Sequence, residues 1–246
     1  MRNRGRAMFH AARNWWGSGR GKITARLFFF EFLVVVAGVL TAQALANWVA
    51  DRSEQRAVSE EDKRVRYEIG RARQVARLWS AATPCLTDRV ERVAREASTN
   101  DPVDPDELKV PRFIGYTVEP FSPDMNREFH DRFGNERVDN YAVVSSATVT
   151  LVNTYRDVRR GWDRFALLDP ALGSPSAADR ATVRDVAVQL RSQLDLIRAS
   201  AEMIESTAAG LKIPPLTSDA DFGAVTPVRN CDEIWRTGRI WRDPGR

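Results

Sequence analysis

A single long apolar segment, residues 27–50, limits what this chain can fold into more than any other feature. It contains 24 residues, of which only four are polar: Glu31, Thr41, Gln43 and Asn47. A helix rises about 1.5 Å per residue and the hydrocarbon core of a bilayer is roughly 30 Å thick, so a helix of this length crosses the core with some tilt. The sequence therefore predicts a transmembrane helix over residues 27–50.

Charge is distributed unevenly between the N-terminus and the rest of the chain. Residues 1–26 contain seven basic and no acidic residues, whereas the remainder contains 30 basic and 33 acidic residues. Because basic flanks of membrane helices stay on the cytoplasmic side, we expect a cytoplasmic tail over residues 1–26, with residues 51–246 periplasmic or otherwise extracytoplasmic. The slightly acidic body argues against nucleic acid as a partner, although the whole chain carries a net charge of +4.

Three tryptophans occupy positions typical of membrane-interface anchors. Trp48 lies at the outer end of the apolar segment, and Trp15 and Trp16 lie in the basic tail. The tail either forms a short amphipathic helix on anionic lipid headgroups or is a disordered segment that sets the orientation. Both interpretations make the lipid bilayer a partner, and neither implies catalysis.

A cleaved signal peptide is the alternative to an uncleaved anchor. Residues 27–40 have the character of a signal-peptide apolar region, and Ala44-Leu45-Ala46 matches an A-x-A cleavage site. Glu31 inside this region, the long basic segment before it and the continuation of the apolar run to Trp48 favour the anchor. Either way, the body of the protein is expected outside the cytosol.

The apolar segment also has a characteristic order of residues. A glutamate, Glu31, opens the run, Gly38 follows seven residues later, and Asn47-Trp48 closes it, with Ala42 at matching spacing. In these positions the segment resembles the membrane anchor of DUF6090-like proteins, a bacterial single-pass family of unknown function, whereas Gln43 departs from the family pattern. The resemblance covers about 45 of the 246 residues. It implies an uncleaved anchor and no activity.

One face of the predicted transmembrane helix combines small residues with a single carboxyl group. Six residues, spaced by alternating steps of four and three, share this packing face: Glu31, Val35, Gly38, Ala42, Leu45 and Val49. Small residues allow close helix approach, and carboxyl groups in membranes usually face protein or water. We expect the packing face to meet a second copy or another membrane protein. The alternative is that Glu31 extends to the inner interface and the small residues have no partner.

The rest of the chain has a helical period nearly throughout, which predicts an all-α fold. A highly charged stalk, residues 51–64, precedes a stripe of apolar residues over positions 65–97, with a break expected at Pro84. Residues 99–122 contain four prolines and are expected to form a long irregular loop that covers the core. Ser122-Pro123 predicts the start of a short helix.

Two long amphipathic helices are predicted after this short helix. The first has one unbroken apolar stripe: Tyr141, Val144, Thr148, Leu151, Tyr155, Val158, Trp162 and Phe165. The second is expected to begin at Ser174 or Ser176 and to end at Gly210. The link over residues 168–174 is short enough to force a hairpin. We therefore expect an antiparallel helical bundle over residues 65–210, followed by a C-terminal tail, residues 211–246.

The chain contains only two cysteines, Cys85 and Cys231. In an oxidising compartment an even cysteine count suggests one disulfide, which would tie the C-terminal tail to the bundle. Two buried free thiols and intermolecular pairing are the alternatives. A redox-active role is not expected because the sequence has no C-x-x-C motif.

Residues for catalysis or metal binding are scarce. The only histidines are His10 and His130, which argues against histidine-based triads and multi-histidine metal sites. His130 is expected at a helix surface, and Glu202 and Glu205 on a solvated helix face. No phosphate-binding loop, dinucleotide fingerprint or nucleophile elbow is present. The sequence therefore predicts no catalytic residues, no metal and no cofactor.

These features favour a membrane-anchored helical interaction or scaffold protein over an enzyme. The alternative is an extracytoplasmic domain that binds or senses a small molecule between helices and acts through a membrane partner. Aromatic residues at helical spacing are candidates for such a site, although they more often form core: Phe129, Phe133, Tyr155 and Trp162. A buried pocket lined by arginine or tyrosine would favour binding, and a solid bundle with an exposed apolar patch would favour a protein partner.

Overall fold

The computed structural model describes residues 19–99, 103–119, 126–216, 218–219 and 223–242. The chain divides into two compact units, residues 1–57 and residues 58–246. The described residues are mostly helical, as predicted, and they add two short antiparallel two-stranded sheets that the sequence did not predict. The second unit begins at Val58, so it includes the later part of the segment assigned to a charged stalk.

The α-helices differ widely in length. They are α1 (Gly19–Thr99), α2 (Pro105–Leu108), α3 (Asn126–Phe133), α4 (Asn135–Trp162), α5 (Ala177–Gly210) and α6 (Cys231–Thr237). Two 3₁₀ helices, Asp163–Leu168 and Pro170–Leu172, form the link between α4 and α5. The strands are β1 (Ser218–Asp219), β2 (Gly223–Ala224), β3 (Thr226–Pro227) and β4 (Trp241–Arg242), paired as β1 with β2 and β3 with β4.

The break predicted at Pro84 is wrong, because α1 continues through this residue. Proline removes one backbone donor and costs about 3 kcal/mol in a helix interior. The surrounding turn is held by other contacts: the hydroxyl of Thr83 donates to the carbonyl of Trp79 at 2.7 Å, and both residues are buried. Cys85 and Leu86, which follow the proline, are also buried. Tertiary packing therefore overrides the local preference.

The part of α1 in the second unit runs in the same direction as α4. Near its start, the Asp62 carboxylate accepts a hydrogen bond from the Arg137 guanidinium at 2.9 Å. Further towards the C-terminus of both helices, the rings of Trp79 in α1 and Tyr155 in α4 stack with centroids 6.1 Å apart. Both contacts advance along the two helices together, so the helices are parallel.

Helix α5 runs in the opposite direction to α1. Arg73 donates to the Glu205 carboxylate at 2.7 Å, whereas Glu91, further along α1, pairs with Arg191, which lies earlier in α5. Helix α5 is therefore antiparallel to α1 and α4. Close approach between α4 and α5 depends on Gly161, because a Cβ there would lie 2.9 Å from a Leu190 methyl carbon.

The predicted apolar stripes of α4 and α5 form the core of the second unit. Every member of the α4 stripe is buried except Tyr155, which is half-buried. The largest fully buried side chains include Trp79, Trp162, Tyr141, Phe129 and Phe165. Helix α5 begins after Ser176, which forms a capping box with Asp179, and it ends at Gly210, so both predicted ends are confirmed. The predicted helix start at residues 122–123 lies outside the described residues.

The prediction of an irregular loop over residues 99–122 is wrong at Pro105–Leu108, which form α2 because Asp104 caps the helix start and proline suits its first turn. Residues 109–119, the covering segment, lie over the core without forming a helix. The indole nitrogen of Trp79 donates to the carbonyl of Ile114 at 2.8 Å. Gly115 packs directly on α4, since a Cβ there would lie 2.4 Å from a ring carbon of Tyr155. Only glycine permits this close approach.

The C-terminal segment contains more structure than the sequence predicted. Its backbone contacts α1 at Gly70, whose carbonyl accepts from the Leu216 amide at 3.0 Å. The Gln74 side chain donates to the carbonyl of Val225 at 2.7 Å. Arg112 forms an isolated parallel bridge with Arg239, which joins the covering segment to the C-terminal segment.

Candidate functional site

The first candidate is the packing face of the apolar segment, which lies in the first unit. All six of its residues are in α1 and are exposed, with 59% of Val35, 60% of Leu45 and 53% of Val49 accessible. A Cβ at Gly38 would have no neighbour within 4 Å. By length and composition, α1 is long and apolar enough to span a membrane, and the residues of its most apolar stretch are not buried by the rest of the described chain.

The predicted interface tryptophans are described only in part. The Arg52 guanidinium lies over the Trp48 ring, 5.3 Å from its centroid. Such a contact places a cation and an amphipathic ring together, the combination found at headgroup level. Trp15 and Trp16 lie outside the described residues.

The predicted disulfide is confirmed. Cys85 and Cys231 are bonded, with their Cα atoms 5.3 Å apart and a separation of 146 positions in the sequence. Cys231 is the first residue of α6, whose N-terminus is capped by the Asn230 side chain through a 3.1 Å hydrogen bond from the Glu233 amide. The bond therefore fixes the N-terminal end of α6 to the C-terminal part of α1.

A second candidate is a cluster of charged groups beside the disulfide. The Arg89 guanidinium is buried, lies 4.1 Å from the centroid of the Trp235 ring and is 3.6 Å from the Glu107 carboxylate. Arg92 donates to the same Glu107 oxygen at 2.9 Å. Burial lowers the pKa of Arg89, and burial together with the nearby Glu107 raises the pKa of Glu96.

This cluster supports structure rather than chemistry. It attaches α2 to the C-terminal part of α1, and the Trp235 ring shares one face with a cation. Because the Arg89 side chain is buried between Glu107 and the Trp235 ring, it is not accessible to a substrate. Sequence reasoning missed the cluster because Arg89 and Trp235 are remote in the chain and share no local spacing.

Two open grooves flank the covering segment at residues 110–112. The Trp235 groove, with a volume of about 490 Å³, is lined by Asp106, Lys109, Val110, Pro111, Arg112, Ile234, Trp235, Thr237, Gly238 and Arg239. The Tyr155 groove, of about 440 Å³, is lined by Val110, Pro111, Arg112, Phe113, Tyr155, Arg159, Asp163 and Trp241. Neither groove could be predicted from local sequence patterns, because the lining residues come from separate segments.

The aromatic residues considered for a ligand site divide into two groups. Phe129 and Trp162 are fully buried, so their role is packing. Phe133 and Tyr155 are partly buried, and only Tyr155 lines one of the two grooves. The ring of Phe133 instead contacts the Arg137 guanidinium, with 4.4 Å between the cation and the ring centroid.

The titratable groups named from the sequence have structural partners or face solvent. His130 Nδ1 lies 3.0 Å from the Asn135 side-chain oxygen. Glu202 is exposed, whereas Glu205 pairs with Arg73, and this hydrogen bond lowers the pKa of Glu205. Among the described residues, no three His, Cys, Asp or Glu side chains are grouped so that they could hold a metal ion. His10 lies outside the described residues.

Comparisons with known proteins identified no similar protein. No protein-family model, curated protein or solved structure matches the chain. What the chain does is therefore inferred from its own residues.

Proposed function

We propose that this chain is a single-pass protein of the bacterial inner membrane that acts as an interaction or scaffold protein. The observation that carries this proposal is the exposed apolar surface of α1 over residues 27–50. Phe28, Leu40 and Leu45 are each at least 59% exposed, and they point to different sides of the helix. Exposing an apolar surface on all sides of a helix to water is unfavourable in free energy, whereas the hydrocarbon core of a bilayer would cover this surface.

The proposed orientation has residues 1–26 in the cytoplasm and the second unit in the periplasm. The seven basic residues of the tail favour this arrangement through the positive-inside rule. A disulfide between Cys85 and Cys231 is consistent with it, because disulfides persist in oxidising compartments. The order of residues from Glu31 to Trp48 supports an uncleaved anchor.

The proposed interaction uses the packing face. In the bilayer centre, leucine and valine gain little from contact with each other, whereas small residues let two backbones approach closely. Gly38 and Ala42 lie one helical turn apart, and Glu31 on the same face can donate or accept a hydrogen bond across a helix pair. We expect either a homo-oligomer or a complex with another membrane protein, with no cofactor and no nucleic acid.

Fusions to reporter proteins test the orientation. Alkaline phosphatase fused after Arg246 is expected to be active, because this enzyme folds in the oxidising periplasm. A fluorescent protein that matures only in the cytoplasm is expected to be dark at the same position. The opposite pattern would contradict the proposed orientation. An epitope tag before Met1 that separates from the body of the protein would show a cleaved signal peptide instead of an anchor.

Cross-linking in membranes tests the packing face. Glu31→Leu and Gly38→Leu are each expected to reduce the yield of cross-linked complex, because both remove a feature of the contact. Ala44→Leu is the matched control, since it places a leucine side chain on the opposite side of the helix and is expected to change nothing. Equal yields for all three variants and the wild type would refute a role for this face.

A further inference from the structure

The Tyr155 groove combines two cations with an aromatic wall. Arg112 comes from the covering segment and Arg159 from α4, and both side chains are exposed at the groove. Phe113, Tyr155 and Trp241 contribute half-buried rings. From this arrangement we propose that the groove binds a small carboxylate that carries an aromatic ring. This site is independent of the membrane anchor, because all of its residues lie in the second unit.

The charge of the groove is suited to a monoanion. Its lining contains two guanidinium groups and one carboxylate, Asp163. Within the part of the chain that the structure describes, no carboxylate lies within ion-pair distance of Arg112 or Arg159. A guanidinium presents parallel donors that match the two oxygens of a carboxylate. A single carboxylate ligand would therefore complete the charge balance of the lining.

The aromatic wall is held in place before any ligand arrives. The Phe113 ring packs against Trp79 with centroids 5.1 Å apart and against Tyr155 at 6.4 Å. The hydrogen bond from Trp79 to the carbonyl of Ile114 and the close approach of Gly115 to α4 fix the segment that carries Phe113. A wall that needs no rearrangement loses little entropy on binding, and half-buried rings leave an edge or face for a planar ligand.

The C-terminal segment provides the third side of the groove. The Arg112 amide donates to the carbonyl of Gly238 at 2.7 Å, and the Ile240 amide donates to the carbonyl of Arg112 at 3.4 Å. These two bonds bring Trp241 beside the covering segment, and the disulfide at Cys231 anchors the same C-terminal segment to α1. The groove therefore depends on chain segments that the disulfide holds together.

The volume of the Tyr155 groove suits a small molecule, and the guanidinium of Arg159 distinguishes this groove from its neighbour. About 440 Å³ is within the range of roughly 300–1,000 Å³ that is typical of small-molecule sites. In the Trp235 groove, by contrast, the Lys109 ammonium already pairs with Asp106 at 2.5 Å. Arg112 lines both grooves, whereas Arg159 lines only the Tyr155 groove, where no described carboxylate pairs with it.

Isothermal titration calorimetry of the full-length protein in an uncharged detergent tests the proposal, with phenylacetate as the probe and empty micelles as the blank. We expect saturable binding of phenylacetate and at least about tenfold weaker binding of phenylacetamide, which lacks the charge, and of acetate, which lacks the ring. Arg112→Gln and Arg159→Gln are each expected to weaken phenylacetate binding by about tenfold.

Arg156→Gln is the matched control, because Arg156 is an exposed arginine on the same helix that does not line the groove. It removes the same charge and is expected to leave the affinity unchanged. Equal losses in Arg156→Gln and Arg159→Gln would overturn the assignment to this groove. Equal affinity for phenylacetamide, or no saturable binding of phenylacetate up to about 10 mM, would overturn the proposed ligand class.

Discussion

Reduction of the Cys85–Cys231 disulfide is expected to lower the free energy of unfolding by a large amount. The bond joins residues 146 positions apart, so it closes most of the second unit into one loop. In the chain-entropy model, a cross-link over a loop of this length restricts the unfolded chain by about 5 kcal/mol at 25 °C. Strain in the native bond or residual structure in the unfolded chain would reduce this value.

The native contacts around the bond indicate that the fold itself survives reduction. Ile234 of α6 is fully buried, the Trp235 ring lies against the Arg89 guanidinium, and the carbonyl of Gly238 accepts from the Arg112 amide. These contacts do not involve sulfur. We therefore expect the reduced protein to keep its helical content at 25 °C and to lose stability chiefly because its unfolded state gains freedom.

Urea unfolding followed by tryptophan fluorescence measures this loss in the full-length protein in an uncharged detergent, with and without a phosphine reductant. A double variant, Cys85→Ser with Cys231→Ser, is the control: its stability is expected to match that of the reduced wild type and to be insensitive to the reductant. A difference of less than about 1 kcal/mol between oxidised and reduced protein would refute the loop-closure reasoning.

Two further substitutions test packing and charge. Gly115→Ala is expected to destabilise the protein by about 1–3 kcal/mol, because the new Cβ would lie 2.4 Å from a Tyr155 ring carbon; Gly210→Ala, where no atom lies within 4 Å, is the control in thermal melts. Glu205→Gln is expected to cost about 1 kcal/mol at pH 7, since Arg73 lowers the pKa of Glu205 and the ionised carboxylate stabilises the folded state; in urea titrations this difference should vanish as pH falls through the lowered pKa.

Helices α4 and α5 could be predicted because their stripes depend only on local spacing. In α5, residues from Val183 to Ala208 recur every three or four positions, and each member of the stripe is buried. The capping box at Ser176 is equally local. Pro84 shows where this reasoning fails: the proline rule describes an isolated helix, whereas here the neighbouring residues are buried on both sides.

The Tyr155 groove could not be predicted, because no short stretch of sequence contains it. Arg112, Tyr155 and Trp241 come from three segments, and their proximity depends on backbone contacts between the covering segment and the C-terminal segment. The disulfide was predictable only by counting, since a chain with two cysteines that is expected outside the cytosol leaves few alternatives. Counting identified the pair, but it could not indicate that the bond also organises one side of a groove.

Both units contain helices rich in apolar residues, but these residues are largely exposed in the first unit and largely buried in the second. In α5 the apolar stripe is flanked by exposed charged residues such as Arg184 and Asp195, so one face of the helix packs on the protein and the opposite face is exposed to solvent. Over residues 27–50 no such polar face exists, and apolar side chains are exposed on every side of the helix. Helix propensity alone would treat these segments alike. The distribution of polar residues around the axis decides whether one face of a helix packs on its own chain or apolar side chains remain exposed on every side.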